Sequence, residues 1–230
     1  MTRAGDVISY VTMCQLEGTN LQRGMNYMLG KTYSVILMSV RVGAPYADQI
    51  EDAGRILIYE GHDVPKTRLS SKPKNIDQPM KNPGGGLTQN GLFYEAAIRH
   101  KTEHKMPEKV KVYEKIKAGI WVYNGLFDLK DAWLASAGQR KVFKFRLEIT
   151  DDNSDVPSEP IDLDHTRLIP TKVKLQVWQR DKGVCVRCSS KDNLHFDHIL
   201  PYSKGGTSLV TANIQLLCAR HNLSKRDNIE

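Results

Sequence analysis

The sequence predicts an α+β protein in two parts, a strand-rich N-terminal part with flanking helices and a much smaller C-terminal part. Three observations predict it. Phe143, Phe145, Leu147 and Ile149 alternate with Lys144, Arg146 and Glu148, the period of two of a strand with one buried face. Next, Thr150-Asp151-Asp152-Asn153-Ser154-Asp155-Val156-Pro157-Ser158-Glu159-Pro160 mixes prolines, small polar residues and like charges, which suit neither helix nor sheet. Beyond it lie two closely spaced cysteine-containing pairs in a stretch of fewer than seventy residues, too short to rely on an apolar core alone. The chain therefore divides into 1–150, a linker over 151–168, and 169–230.

Within the first part, strands are expected at Tyr33 through Val40, Arg55 through Tyr59, Val110 through Tyr113 and Ile120 through Tyr123, with the 143–149 strand last. A short helix fits around Leu129 to Ala137. After the linker, Thr171 is read as the cap of a helix carrying Val173, Val177 and Trp178 on one side, and Gly183 as its stop.

A hydrophobic fraction of 40% and a charged fraction of 26% over 230 residues argue for a folded chain rather than disorder. No apolar run nears the ~18 residues of a membrane span. The polar start Met1-Thr2-Arg3-Ala4-Gly5-Asp6 lacks the apolar core of a secretory signal. A cytoplasmic protein with no membrane partner is expected. The net charge is +7, and from Thr166 onward eleven bases face five acids, so nearly all the excess is C-terminal. Such a surface suits a polyanion, whose counterions it releases. A solvated basic face that only aids solubility would explain the charge equally well.

Cys185-Val186-Arg187-Cys188 and Cys218-Ala219-Arg220-His221 each place two residues between ligands, a spacing that turns both donors toward one tetrahedral ion. Structural Zn2+ is the natural occupant. A redox-active first pair is the competing reading, but it leaves the second pair unexplained. Cys14, alone in an apolar stretch, reads as a small packed side chain.

Between the pairs runs Leu194-His195-Phe196-Asp197-His198-Ile199-Leu200-Pro201-Tyr202-Ser203-Lys204-Gly205-Gly206, followed by Asn213 and Asn222. From about Lys172 to Asp227 this order of elements resembles the HNH endonuclease family. The resemblance implies a ββα-metal fold in which two short strands and a helix clasp one divalent ion. It implies that His198 is the general base, Asp197 and Asn222 are ligands of a catalytic Mg2+ or Mn2+, and Asn213 braces the loop that aims His198. Strict alternation along a strand would put Asp197 and His198 on opposite faces, so the strand must twist or end there. His195 has no place in the motif and reads as packing.

The N-terminal part carries, in order, Tyr33-Ser34-Val35-Ile36-Leu37, Tyr46-Ala47-Asp48, Asp52-Ala53-Gly54, Tyr59-Glu60-Gly61, Asp77-Gln78, Tyr123-Asn124-Gly125-Leu126-Phe127 and Val142-Phe143-Lys144-Phe145-Arg146-Leu147. Through these motifs it resembles SRA (YDG) domains over roughly Gly5 to Ile149. The resemblance implies a curved barrel that flips a modified cytosine, commonly 5-methylcytosine or 5-hydroxymethylcytosine, out of double-stranded DNA. Tyr46 and Tyr59 would stack on the base, and Asp48 would accept its exocyclic amine. Two loops that would fill the gap and hold the backbone carry Arg23, Lys31, Lys66, Arg68, Lys72 and Lys74. Together the two resemblances imply a modification-dependent DNA endonuclease. One site cuts one strand, so a homodimer is expected, if only on DNA. Two alternatives stay open: a modified-DNA reader whose zinc module does not cut, and an HNH nuclease indifferent to methylation.

Overall fold

The computed structural model describes residues 2–29, 31–66, 72–150, 168–201 and 204–225. The fold is mixed α+β and strand-rich. Eight strands form one sheet: β1 (Val7–Ser9), β2 (Met25–Asn26), β3 (Ser34–Met38), β4 (Gln49–Glu51), β5 (Ile56–Glu60), β6 (Glu108–Lys117), β7 (Ile120–Ala137) and β8 (Arg140–Ile149). Their order is β2-β3-β6-β7-β8-β5-β4, with β1 paired to the start of β7. Among the described residues β2 and β4 are unjoined ends of that path, so the expected barrel is corrected to an open sheet. All pairings are antiparallel except β3 with β6.

The short helix expected around Leu129 to Ala137 is also corrected, because β7 runs unbroken through it. Leu129, Ala132 and Trp133 have helical spacing, but their backbone groups pair along β8 from Phe127↔Ile149 to Ala137↔Arg140. A ladder of that length outweighs a weak local preference. Helix α1 (Tyr10–Leu16) starts at Ser9, whose hydroxyl accepts the Thr12 amide, and α2 (Gln89–Glu103) starts at Thr88, which accepts the Gly91 amide. On α2, Phe93, Ala96 and Ala97 face the core formed with Leu57, Tyr59, Phe127, Leu129, Phe143 and Phe145.

The C-terminal residues form α3 (Thr171–Arg180), the hairpin of β9 (Leu194–His198) with β10 (Ile214–Cys218), and α4 (Ala219–Lys225). Pro170, not Thr171, holds the cap position of α3. The Thr171 hydroxyl instead donates to Glu114 on β6. Gly183 closes the helix through its amide to Trp178 O at 3.0 Å. This part packs directly on the large sheet: Ile116 and Val122 share one apolar cluster with Ile169, Val173, Val177, Phe196, Ile214 and Leu216.

Within that contact, Lys174 Nζ lies 2.7 Å from Glu114 Oε2 and 2.8 Å from Asn124 Oδ1, all three buried. Burial opposes ionisation of Glu114, but Lys174, Thr171 and Asn124 outweigh it and hold its carboxyl below the usual range. His195 Nδ1 meets Asp6 Oδ1 at 2.5 Å, and the Phe196 amide donates to Gly5 O at 3.2 Å. No described helix is long and apolar enough to cross a membrane.

Candidate functional site

Cys185 and Cys188 lie in the turns after α3, Cys218 ends β10, and His221 is on the first turn of α4. Their four ligand atoms all lie within 4.8 Å of one another. Cys188 Sγ to Cys218 Sγ is 3.7 Å, and His221 Nδ1 is 3.3 Å from Cys185 Sγ and 3.4 Å from Cys218 Sγ. A tetrahedron with zinc–sulfur bonds of about 2.3 Å and a zinc–nitrogen bond of about 2.0 Å has edges of about 3.5 to 3.8 Å. The donor set therefore fits zinc in both chemistry and size. Burial resists ionisation of Cys185, yet amides of Cys218, Arg187 and Cys188 and the His221 ring bring its thiol down to about 6.

The same hairpin positions the nuclease residues. On β9, Leu194, Phe196 and His198 point inward while His195 and Asp197 alternate outward. Asp197 and His198 thus leave the strand on different sides, and one residue draws on both. Lys225 at the end of α4, only 2% exposed, donates to Asp197 Oδ2 at 2.7 Å and also to His198 O. Gln215 Nε2, directly across the hairpin, lies 3.2 Å from the same Oδ2. His198 is 8% exposed and shares a 2.8 Å hydrogen bond between Nε2 and the buried Ser208 hydroxyl.

Asn213 precedes β10 and ties the loop after His198. Its Oδ1 accepts the Leu200 amide at 2.7 Å, and its Nδ2 donates to Leu200 O at 3.0 Å and Thr207 O at 3.1 Å. Gly206 passes so near that an added Cβ would fall 1.8 Å from Leu200 O, a contact only glycine avoids. Asn222, half-buried, follows His221 on α4. Asn222 and Asp197 each carry a side-chain oxygen, the donor type a hard cation prefers.

In the N-terminal part, Tyr46, Asp48 and Tyr59 line a common cavity of about 730 Å³. Arg23, Arg41 and Lys115 give its walls positive charge. Asp48 is fixed by two amides, Ser39 N to Oδ2 and Glu60 N to Oδ1, each at 3.0 Å. Burial raises its carboxyl to about 6 despite those bonds. Tyr59 is buried in the sheet core, and its hydroxyl lies 2.9 Å from His62 Nε2. The His62 ring stacks on Tyr46, centroids 5.1 Å apart and planes 14° from parallel. Gly24 makes this possible, since a Cβ there would sit 2.7 Å from His62 Nε2 and 2.8 Å from the Tyr59 hydroxyl.

Of the six loop bases, Arg23 reaches the cavity wall, while Lys31, Lys66 and Lys72 are exposed. Arg68 lies outside the described residues. Lys74 is exposed too, with Nζ 4.2 Å from the Tyr46 ring centre and 2.9 Å from Asp63 Oδ2. Sequence reasoning assigned no role to His62, Ser208 or Lys225. Only Lys225 leaves a local signal, three residues after Asn222 and so on the same side of a helix.

Residues 185–228 match the family model described as HNH endonuclease. A 113-residue stretch, 49% of this chain, is 29% identical to the histone-lysine N-methyltransferase family member SUVH2 of Arabidopsis thaliana. That stretch spans 16% of the plant protein. Among solved structures, the SUVH5 SRA domain with hemimethylated CG DNA is similar at 24% identity and a TM-score of 0.45, covering 69% of this chain and 92% of that one. The same domain bound to fully hydroxymethylated CG DNA gives 23%, 0.45 and the same coverage. Arabidopsis thaliana SUVH6 with SAM gives 20% and 0.43, covering 86% of this chain and 32% of that one. The match to the HNH endonuclease model is thus confined to residues 185–228, within the C-terminal part.

Proposed function

We propose that the chain is a modification-dependent DNA endonuclease, in which the N-terminal part flips and reads 5-methylcytosine or 5-hydroxymethylcytosine and the C-terminal part hydrolyses a nearby phosphodiester. The observation that carries this reading is the presence, in one chain, of the HNH match over 185–228 and a basic-walled cavity lined by Tyr46, Asp48 and Tyr59. Flipping costs a few kcal/mol of stacking and pairing, which a tyrosine face and a fixed acceptor can offset. Each Asp48 oxygen keeps acceptor capacity beyond its one amide bond, enough to take a cytosine amine. Arg23, Lys31, Lys66, Arg68, Lys72 and Lys74 supply phosphate contacts around the pocket.

On the nuclease side, His198 is the general base, a role imidazole fills because its ordinary pKa lies near neutrality. Asp197 and Asn222 hold a single Mg2+ or Mn2+, Asn213 keeps the loop that carries His198 in place, and Zn2+ on Cys185, Cys188, Cys218 and His221 supports the fold. When bound, the catalytic ion supplies charge stabilisation at the scissile phosphate. A double-strand break requires two active sites, hence a homodimer assembled at the latest on DNA.

The test is digestion of methylated and unmethylated plasmid with either ion, using wild type and His198→Ala. Wild type should cut the methylated plasmid, and the variant should lose at least about 100-fold in rate while still binding methylated duplex. Equal digestion of both plasmids removes the reader and leaves the nuclease. Cutting by His198→Ala at the wild-type rate removes the base assignment. A non-cutting reader is favoured by the burial of His198 and by the hold of Lys225 on Asp197. It predicts no nick with either plasmid.

A further inference from the structure

Tyr46 has two ring partners in the protein without DNA, the stacked His62 imidazole and the Lys74 ammonium. A base that stacks on the Tyr46 face covered by His62 has to displace that imidazole. Lys74 is anchored elsewhere as well, by Asp63 at 2.9 Å and by Pro45 O. Among the described residues the His62 ring is held by the Tyr46 stack, by a tilted contact with the Tyr59 ring and by the Tyr59 hydroxyl at 2.9 Å. Its backbone is fixed independently, since Asn90 on α2 donates to His62 O and accepts from His62 N, both at 2.8 Å. The ring can therefore rotate away while the chain stays in place.

The ring also has the properties of a nucleobase substitute. It is planar and aromatic, it stacks, and it bonds through one ring nitrogen. Burial pushes the imidazole down to about 4, so it is uncharged at neutral pH.

We infer that His62 is an internal stand-in for the flipped base, filling the stacking position on Tyr46 when the pocket is empty and leaving it when modified cytosine enters. This deepens the base-reading proposal and rests on it. The cost of moving the ring lowers apparent affinity for any base, because the open pocket is only a fraction of the population. His62 thus sets a threshold that only a base with full stacking and hydrogen bonding crosses.

Binding of one duplex, with and without 5-methylcytosine, is measured by fluorescence anisotropy for wild type, His62→Ala and His62→Trp. His62→Ala should bind the methylated duplex about 3- to 10-fold more tightly. His62→Trp, whose larger ring stacks more strongly, should bind it more weakly. In parallel, the His62 ring proton signals of the wild-type protein, shifted by Tyr46, should move toward exposed-histidine values when methylated duplex is added. That readout also decides the matter if His62→Ala does not fold.

Unchanged or weaker binding by His62→Ala, or a His62 signal that stays in place on saturation, overturns the inference. Wild type that binds both duplexes equally removes the base-reading proposal and the stand-in with it. Discrimination by wild type without the gain in His62→Ala removes the stand-in alone.

Discussion

The cluster of Cys185, Cys188, Cys218 and His221 and the cavity around Tyr46 hold their side chains by different means. In the cluster, four ligands from 37 consecutive residues converge within 4.8 Å, beside a small apolar group that among the described residues comprises Cys185, Leu194, Leu217 and Cys218 with Val7 and Trp178 packed on it. The cavity draws on residues from Tyr10 to Trp121, set by strands of a large sheet with a full core behind them. A metal-held site depends on one interaction that is present or absent. A core-held site rests on many weak ones and fails by degrees.

The largest expected effect is therefore loss of the zinc. Structural zinc contributes on the order of 10 kcal/mol in small modules, so chelation or Cys218→Ser should unfold the C-terminal part and abolish cleavage. Binding of modified duplex by the cavity should persist. Thermal melts with and without chelator, beside a duplex-binding assay, check both halves. An unchanged melt after measured zinc release would break the contrast.

A middle-sized effect tests whether the two regions are mechanically separate. Glu114→Ala strands the Lys174 ammonium in a buried setting, which costs about 3–5 kcal/mol. Glu114→Leu combined with Lys174→Met should recover most of that loss. Urea unfolding of the three proteins gives the comparison, and a cost below about 1 kcal/mol for the single change would show the contact to be dispensable.

The smallest effect sharpens the description of the cavity. Because burial raises the Asp48 carboxyl to about 6, it accepts hydrogen bonds fully only above that pH. Binding of modified duplex should weaken as pH falls from 7 to 5, by at most about tenfold per unit. Stability moves the other way. A folded pKa above the ordinary carboxylate value contributes stability that is complete below that ordinary value and is lost as pH rises through about 6. Anisotropy and melts over that range should diverge in sign, and Asp48→Asn should flatten both.

The same difference explains what could be read from the sequence. The cysteine spacing, the polar break after Ile149 and the alternation along β8 are local patterns, and local patterns survive in one dimension. Strand β7 was legible only at Ile120 through Tyr123, because the rest owes its conformation to β8. Helix α2 went unread: its buried Phe93, Ala96 and Ala97 lie among polar and charged neighbours that blur any apolar stripe. The open sheet edge between β2 and β4 depends on how strands far apart in the chain are ordered. At the candidate sites, His62 carries no signal because its partners Tyr46 and Gly24 arrive from other segments. Thr171 read as a cap because that is its usual use, whereas here its hydroxyl joins Glu114.

Helix α3 is seated on the large sheet through the Glu114, Asn124 and Lys174 contact and the apolar residues around Val177. Such a seat makes the molecule a caliper rather than two tools on a string. If the proposed reader and cutter act on one duplex, the spacing between the recognised base and the severed strand follows from where α3 rests on β6 and β7. The number of residues joining Thr150 to Leu168 then has little influence on it.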